Sequence, residues 1–203
     1  MKTLFLSTIS AMMIAGGVSA ASITFTENQG TQANGLDVPA GRSVVTNLTD
    51  GDVDTFYSLG IGGSLTASIA PQLIAGASLI EVTFNNTPSF PESAQVYLGI
   101  DTSGILLGEL FNFASGVSST SANGASIITA PNTPSTGRTS FVIDLGVNSG
   151  SALTFVDTTS GTGNKDGFDI AELSIAAVPL PAAGLLLLAG IGGLAAVGRR
   201  KKS

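Results

Sequence analysis

Along much of this chain the apolar residues recur at every second position. Leu65, Ala67 and Ile69 alternate with Ser64, Thr66 and Ser68, and Ile80, Val82 and Phe84 alternate with Glu81, Thr83 and Asn85. A period of two places all the apolar side chains of a segment on one face of an extended strand, whereas a helix would need spacing near 3.6. Similar runs occupy Ser22 to Thr26, Ser43 to Leu48, Ala94 to Ile100, Ile105 to Phe113, Ser140 to Leu145, Ala152 to Val156 and Phe168 to Ile175. Turn residues separate them at short intervals, which predicts an all-β fold, an antiparallel β-sandwich or jelly roll. In the last run the apolar phase slips from Phe168 and Ile170 to Ala171, Leu173 and Ile175, as a β-bulge would make it do. One stretch breaks the pattern. Of the 27 residues from Ala114 to Ser140, 19 are Ser, Thr, Asn, Gly or Pro, which predicts a long loop with a short strand at Ile127 and Ile128.

Both ends of the chain differ from this middle. Lys2 forms a short basic start, Leu4 to Ala15 an apolar run, and Val18-Ser19-Ala20 a small-residue cleavage site, so residues 1–20 are read as a signal peptide cut after Ala20. No charged residue occurs from Leu173 to Gly198, and the 17 residues from Ala182 to Gly198 would span about 26 Å as a helix, close to a bilayer's hydrocarbon thickness. Pro179 and Pro181 sit where a helix tolerates them, at or before its first turn. Arg199, Arg200, Lys201 and Lys202 then set the orientation by the positive-inside rule, with the tail in the cytoplasm and the N-terminal part outside. The alternative reading of this tail is a buried soluble helix with a basic end.

Without these two segments, residues 21–177 keep all fourteen acidic residues but only Arg42, Arg138 and Lys165 as cations, a net charge of −11. A surface so acidic repels nucleic acid, which calls for a basic footprint. It suits solubility outside the cell, divalent cations and neutral partners. About 157 residues make one domain with one core. With no Cys and no His there is no disulfide framework, no Ser-His or Cys-His nucleophile pair and no ordinary zinc site. Carboxylate-pair hydrolysis is left, and it needs two acids converging in a cleft, often walled by aromatics. A chain with no Trp and two Tyr supplies such walls poorly, so the expectation is a protein that is not an enzyme.

The segment Thr49-Asp50-Gly51-Asp52-Val53-Asp54-Thr55-Phe56-Tyr57 places three carboxylates at alternate positions in a Gly-containing loop. Their mutual repulsion, about 1 kcal/mol per pair at 4 Å even in water, makes Asp50, Asp52 and Asp54 a candidate calcium site. The competing reading is an Asx turn, in which each carboxylate bonds a nearby backbone amide. Asp157, Asp166 and Asp169 form a second acidic set, read as solvated turn residues or as a further cation site. Tyr57, Tyr97 and Phe90, the last held in Pro88-Ser89-Phe90-Pro91, are candidate ligand-binding aromatics, with packing into the core as the alternative for each.

Val178-Pro179-Leu180-Pro181-Ala182, an apolar segment and a terminal Arg/Lys cluster together resemble the VPLPA-type C-terminal sorting domain, a variant of the PEP-CTERM signal of Gram-negative bacteria with Leu180 where the parent form has Glu. The resemblance implies recognition by an exosortase-type membrane protease or transpeptidase and display or release at the cell envelope. It covers only the tail. In the ectodomain, Asp50-Gly51 with Thr55 and Tyr57, and Gly167-Phe168-Asp169-Ile170-Ala171-Glu172-Leu173, resemble the early Asp-Gly motif and closing strand of discoidin or F5/8-type-C domains of the galactose-binding-like superfamily. Tyr57 stands where those domains usually have Trp. That likeness implies a galactose-binding-like sandwich whose end loops bind glycans or lipid head groups. The expected organisation is a signal peptide (1–20), a β-sandwich ectodomain (21–177) and a sorting signal (178–203) with one transmembrane helix at about 182–198. The chain would begin as a single-pass inner-membrane protein and end in the envelope or outside the cell. Two functional readings remain: a non-enzymatic envelope or extracellular-matrix protein, and a calcium-dependent carbohydrate-binding module that ties the cell to its exopolysaccharide.

Overall fold

A computed structural model describes residues 22–82, 91–113, 116–131, 138–160 and 165–178. Among them run β1 (Thr24–Asn28), β2 (Tyr57–Ser58), β3 (Ser64–Ser68), β4 (Ile74–Val82), β5 (Glu92–Leu98), β6 (Ile105–Phe113), β7 (Gly116–Ser121), β8 (Ser126–Pro131), β9 (Arg138–Asp144), β10 (Ala152–Asp157) and β11 (Asp169–Ala177). All their pairings are antiparallel. They make two sheets, one in the order β1-β3-β10-β5-β6-β7 and the other in the order β2-β11-β4-β9-β8. The all-β antiparallel sandwich expected from the alternation is therefore present, and Ala21–Val178 is one compact unit.

Alternation explains the core. Leu65 and Ala67 of β3, Ala94, Val96 and Leu98 of β5, and Leu153 and Phe155 of β10 face Ala77 and Leu79 of β4, Phe141 and Ile143 of β9, and Leu173 of β11 in one buried cluster. The rings of Phe141 and Phe168 lie 6.3 Å apart and tilted, and burial of each large side chain stabilises the fold by about 1.5–3 kcal/mol. The phase slip in the last strand is real: the β11–β4 register shifts between Ile170 and Glu172.

Three expectations are corrected. Ser43 to Leu48 is not a strand; 3₁₀ turns cover Ala40–Arg42 and Val45–Leu48. The segment closes on itself, with the Asn47 side chain donating to the Phe56 carbonyl at 2.9 Å, and within the second turn only Leu48 is buried. Among the described residues, the stretch from 114 to 140 holds β7 and β8, edge strands that pair with β6 and β9, in place of a long loop, and the strand expected at Ile127 and Ile128 is part of β8. Such strands carry little apolar signal because hydroxyls join them. Ser119 Oγ donates to the Ile127 carbonyl at 3.0 Å and lies 2.8 Å from the Thr129 hydroxyl. Third, β4 departs from its expected phase at Ile80 and Glu81. Glu81 is buried in line with Ala77 and Leu79 and Ile80 only partly so, while Val82 is buried as its apolar phase implies.

Of the sorting motif only Val178 falls within the described residues, where its N–H donates to the Leu73 carbonyl at 2.7 Å. The signal peptide with its Ala20 cleavage site, Pro179 to Ala182, the expected transmembrane helix and Arg199 to Lys202 lie outside them. Among the described residues no helix is long and apolar enough to cross a membrane.

Candidate functional site

The exposed acidic loop leads into β2. Asp50 accepts the Asp52 N–H on Oδ1 at 2.8 Å and the Thr55 hydroxyl on Oδ2 at 2.7 Å. Asp52 Oδ1 accepts the Asp54 N–H at 2.9 Å. These are successive Asx turns, and Gly51, at φ +76°, supplies the left-handed residue between the first two carboxylates. The Thr55 hydroxyl, then the Asp52 amide, hold the Asp50 carboxyl below its ordinary range. Asp54 pairs with Arg138, whose Nε also donates to the Val53 carbonyl at 2.9 Å. The three carboxylates thus face different protein donors, and among the described residues no group of three or more acidic side chains is placed to hold a metal ion.

Two of the three candidate aromatics fall within the described residues. Tyr57 is fully buried, so its ring belongs to the core and is not offered to a ligand. Burial, then the nearby Glu27 carboxylate, push its phenol above the ordinary value. Tyr97 is half-buried and donates its hydroxyl to Gln95 at 2.7 Å. Phe90 lies outside the described residues. Phe56, which sequence reasoning passed over, lies under the Arg42 guanidinium at 5.3 Å from the ring centre.

The second acidic set is buried, which corrects the expectation of solvated turn residues. Asp157, Asp166 and Asp169 are joined by Glu81 and Glu92, all at most 5% exposed, at one end of the sandwich. Backbone contacts close that end. The Leu59 N–H donates to the Phe168 carbonyl, Gly30 N–H to Leu59, Ile61 N–H to Thr31 and Ala33 N–H to Lys165, all within 3.0 Å. At Gly63 a Cβ would sit 1.9 Å from the Leu59 carbonyl oxygen, so no other residue fits there. Asp157 Oδ1 accepts the Phe168 N–H at 2.9 Å and Oδ2 the Gly62 N–H at 3.0 Å, tying the end of β10 to both neighbouring loops. Burial still raises its pKa, against hydrogen bonds from Thr159, Gly62 and Phe168. Asp166 pairs with Arg42 at 2.6 Å, and its carbonyl accepts the Ser58 hydroxyl at 2.5 Å.

Glu92 and Asp169 differ from these. Among the described residues, Glu92 Oε2 and both Asp169 carboxylate oxygens are buried without a hydrogen-bond partner. The nearby Ser58 hydroxyl donates to the Asp166 carbonyl, and its closeness to Asp169 offsets only part of the effect of burial there. Burial raises both pKa values well above the ordinary range; Asp169, Glu81, Asp166 and Asp157 add to this at Glu92, and Asp166 and Glu81 at Asp169, where Ser58 and Arg42 act in the opposite sense.

On the open face of the five-stranded sheet lies a shallow groove of about 400 Å³, lined by Gly76, Ser78, Val142, Asp144, Ser174 and Ala176 among others. Small side chains on adjacent outward positions of β4 and β11 leave this hollow, and no expectation from sequence pointed to it.

No family model and no curated protein matches the chain. Solved structures with a similar fold include the CBM32 of AlyQ in complex with 4,5-unsaturated mannuronic acid (12% identity, TM-score 0.41, 76% of this chain and 93% of that one). A pectin-binding carbohydrate-binding module is similar at 13% identity and TM-score 0.43, with 79% and 93% covered. The family 32 module of C. perfringens NanJ in complex with galactose is similar at 13% identity and TM-score 0.38, with 76% and 91% covered.

Proposed function

We propose that this chain is an exported, non-enzymatic component of the cell envelope or extracellular matrix, carried there by its VPLPA-type tail through an exosortase-type enzyme, and that its sandwich acts by surface contact. The fate of its carboxylates carries the reading. A carboxylate-pair hydrolase needs two acids facing one cleft. Here Glu92 and Asp169 are shut inside the sandwich, while Asp50, Asp52 and Asp54 are taken up by Asx turns and by Arg138. Replacing Pro179 and Pro181 together by Ala in the producing cell is the test: the chain is expected to stay in the inner-membrane fraction, while the unaltered chain reaches the surface or the medium. Identical distribution of the two would remove the sorting claim.

The groove favours a second reading, a carbohydrate-binding module that holds exopolysaccharide. Ser78 and Ser174 offer hydroxyls and Asp144 a carboxylate acceptor to a sugar strand lying across the sheet. Saturable binding of the full chain to the producing cell's polysaccharide, lost in Ser174→Arg, would support it. The closed Asp50 loop predicts that a chelator leaves such binding unchanged; absence of binding in every condition returns the sandwich to a structural role.

A further inference from the structure

The inner rows of both sheets change character at the same end. Ala77 and Leu79 are followed by Glu81 on β4, Ile143 and Phe141 are preceded by Thr139 on β9, and Leu153 and Phe155 are followed by Asp157 on β10. On β5 Ala94, Val96 and Leu98 are preceded by Glu92, and β11 opens with Asp169. The register confirms the alignment, since Glu81 lies opposite both Ile170 and Thr139. The hydrogen bond from Phe168 N–H to Asp157 joins this end of one sheet to the same end of the other.

Among the described residues, the groups that act on Glu92 and Asp169 are Arg42 from the first 3₁₀ turn, Ser58 from β2, Glu81 from β4, Asp157 from β10 and Asp166 from the loop before β11; Tyr57 with Glu27 beside it, Thr139, Thr159 and Lys165 adjoin them in sequence or register, and all of these but Glu27 are buried. Five acids thus share the end with two cations, one of which, Arg42, is bound to Asp166 and stacked on Phe56. A buried carboxylate without partners takes up a proton in preference to keeping its charge. A metal ion is the other way to neutralise such a cluster, but the acids do not converge on a common point.

We propose that Glu92 and Asp169 are neutral carboxylic acids in the folded protein at pH values where exposed carboxyls have already ionised, so that this end of the sandwich is a proton-dependent latch, closed at acid pH and loosened as pH rises. The folded chain then holds more protons than the unfolded one above the ordinary carboxyl pKa, about 4. Stability contributed by these groups is therefore complete below about pH 4 and falls as pH rises toward the raised folded values. Each group changes the unfolding equilibrium constant by up to ~10-fold per pH unit, and the two together by up to ~100-fold. Asp157, also raised, acts in the same direction. Asp50 and Asp101, held low by Thr55 and Ser103, act oppositely, but only at pH below about 4, where they become protonated.

The test is equilibrium unfolding of the full chain between about pH 5 and about pH 8, with calcium or with chelator, for the wild type and for Glu92→Gln, Asp169→Asn and the double variant. The wild-type unfolding constant is expected to rise at least ~10-fold across the range in both media, each single variant to flatten the slope, and the double variant to remove most of it. A wild-type slope that is flat or reversed overturns the proposal, as does a slope that calcium abolishes, which would make a cation the neutralising agent. Should the variants fail to fold, the infrared carbonyl band of protonated carboxylic acid in the wild type at about pH 5.5, above the ordinary carboxyl range, decides: its presence supports the proposal and its absence overturns it.

Discussion

Two acidic sets, similar as written, behave differently in the folded chain. Asp50, Asp52 and Asp54 stand at alternate positions of an exposed loop, and their repulsion is relieved locally by amides, a hydroxyl and Arg138. Glu81, Glu92, Asp157, Asp166 and Asp169 are scattered over 89 positions of sequence, yet the topology gathers them inside one end of the sandwich. Spacing marked out the first set, but the direction in which a side chain faces decides its chemistry. The exposed acids are ordinary turn formers, while the buried ones are the energetic problem that the fold has to solve.

Asp157 is the sharpest way to break the comparison. Asp157→Ala removes acceptors from the Gly62 and Phe168 amides where water cannot replace them, at a cost of about 3 kcal/mol in chemical unfolding. A cost within about 0.5 kcal/mol, the range of ordinary surface changes, would mean that the end is open to water. A smaller contrast lies in the two ion pairs. Arg42→Met strips the partner from an Asp166 side chain that is 6% exposed and is expected to cost about 2 kcal/mol. Asp54→Asn breaks a pair whose carboxylate is 81% exposed and is expected to cost under about 1 kcal/mol. Equal costs would remove the distinction between the two sets.

Much of the fold was legible because most strands have one apolar face. The alternation at Leu65 and Ala67 matches β3, and the run from Ile105 to Phe113 matches β6 residue for residue. Elsewhere the pattern misled for physical reasons. Ser119, Ser121 and Thr129 build β7 and β8 through hydroxyl contacts, which leave no hydrophobic periodicity to read. Glu81 is buried and Ile80 only partly so, against expectation, because the inward row of β4 is set by Leu79 opposite Phe141 and Leu173, and one residue further along that row an acid follows. The site was less legible still. Tyr57 reads as a loop aromatic but is buried beside β11, and the groove of Gly76, Ser78 and Ser174 depends on which small side chains become neighbours across strands.

The most direct measurement of the contrast between the two sets is a carboxyl-resolved NMR titration of the full chain. The account predicts that Asp50 ionises below the ordinary carboxyl range, held there by the Thr55 hydroxyl, while Glu92 and Asp169 ionise well above it because they are buried. Titration of Glu92 and Asp169 together with Asp50, near the ordinary carboxyl value, would contradict it.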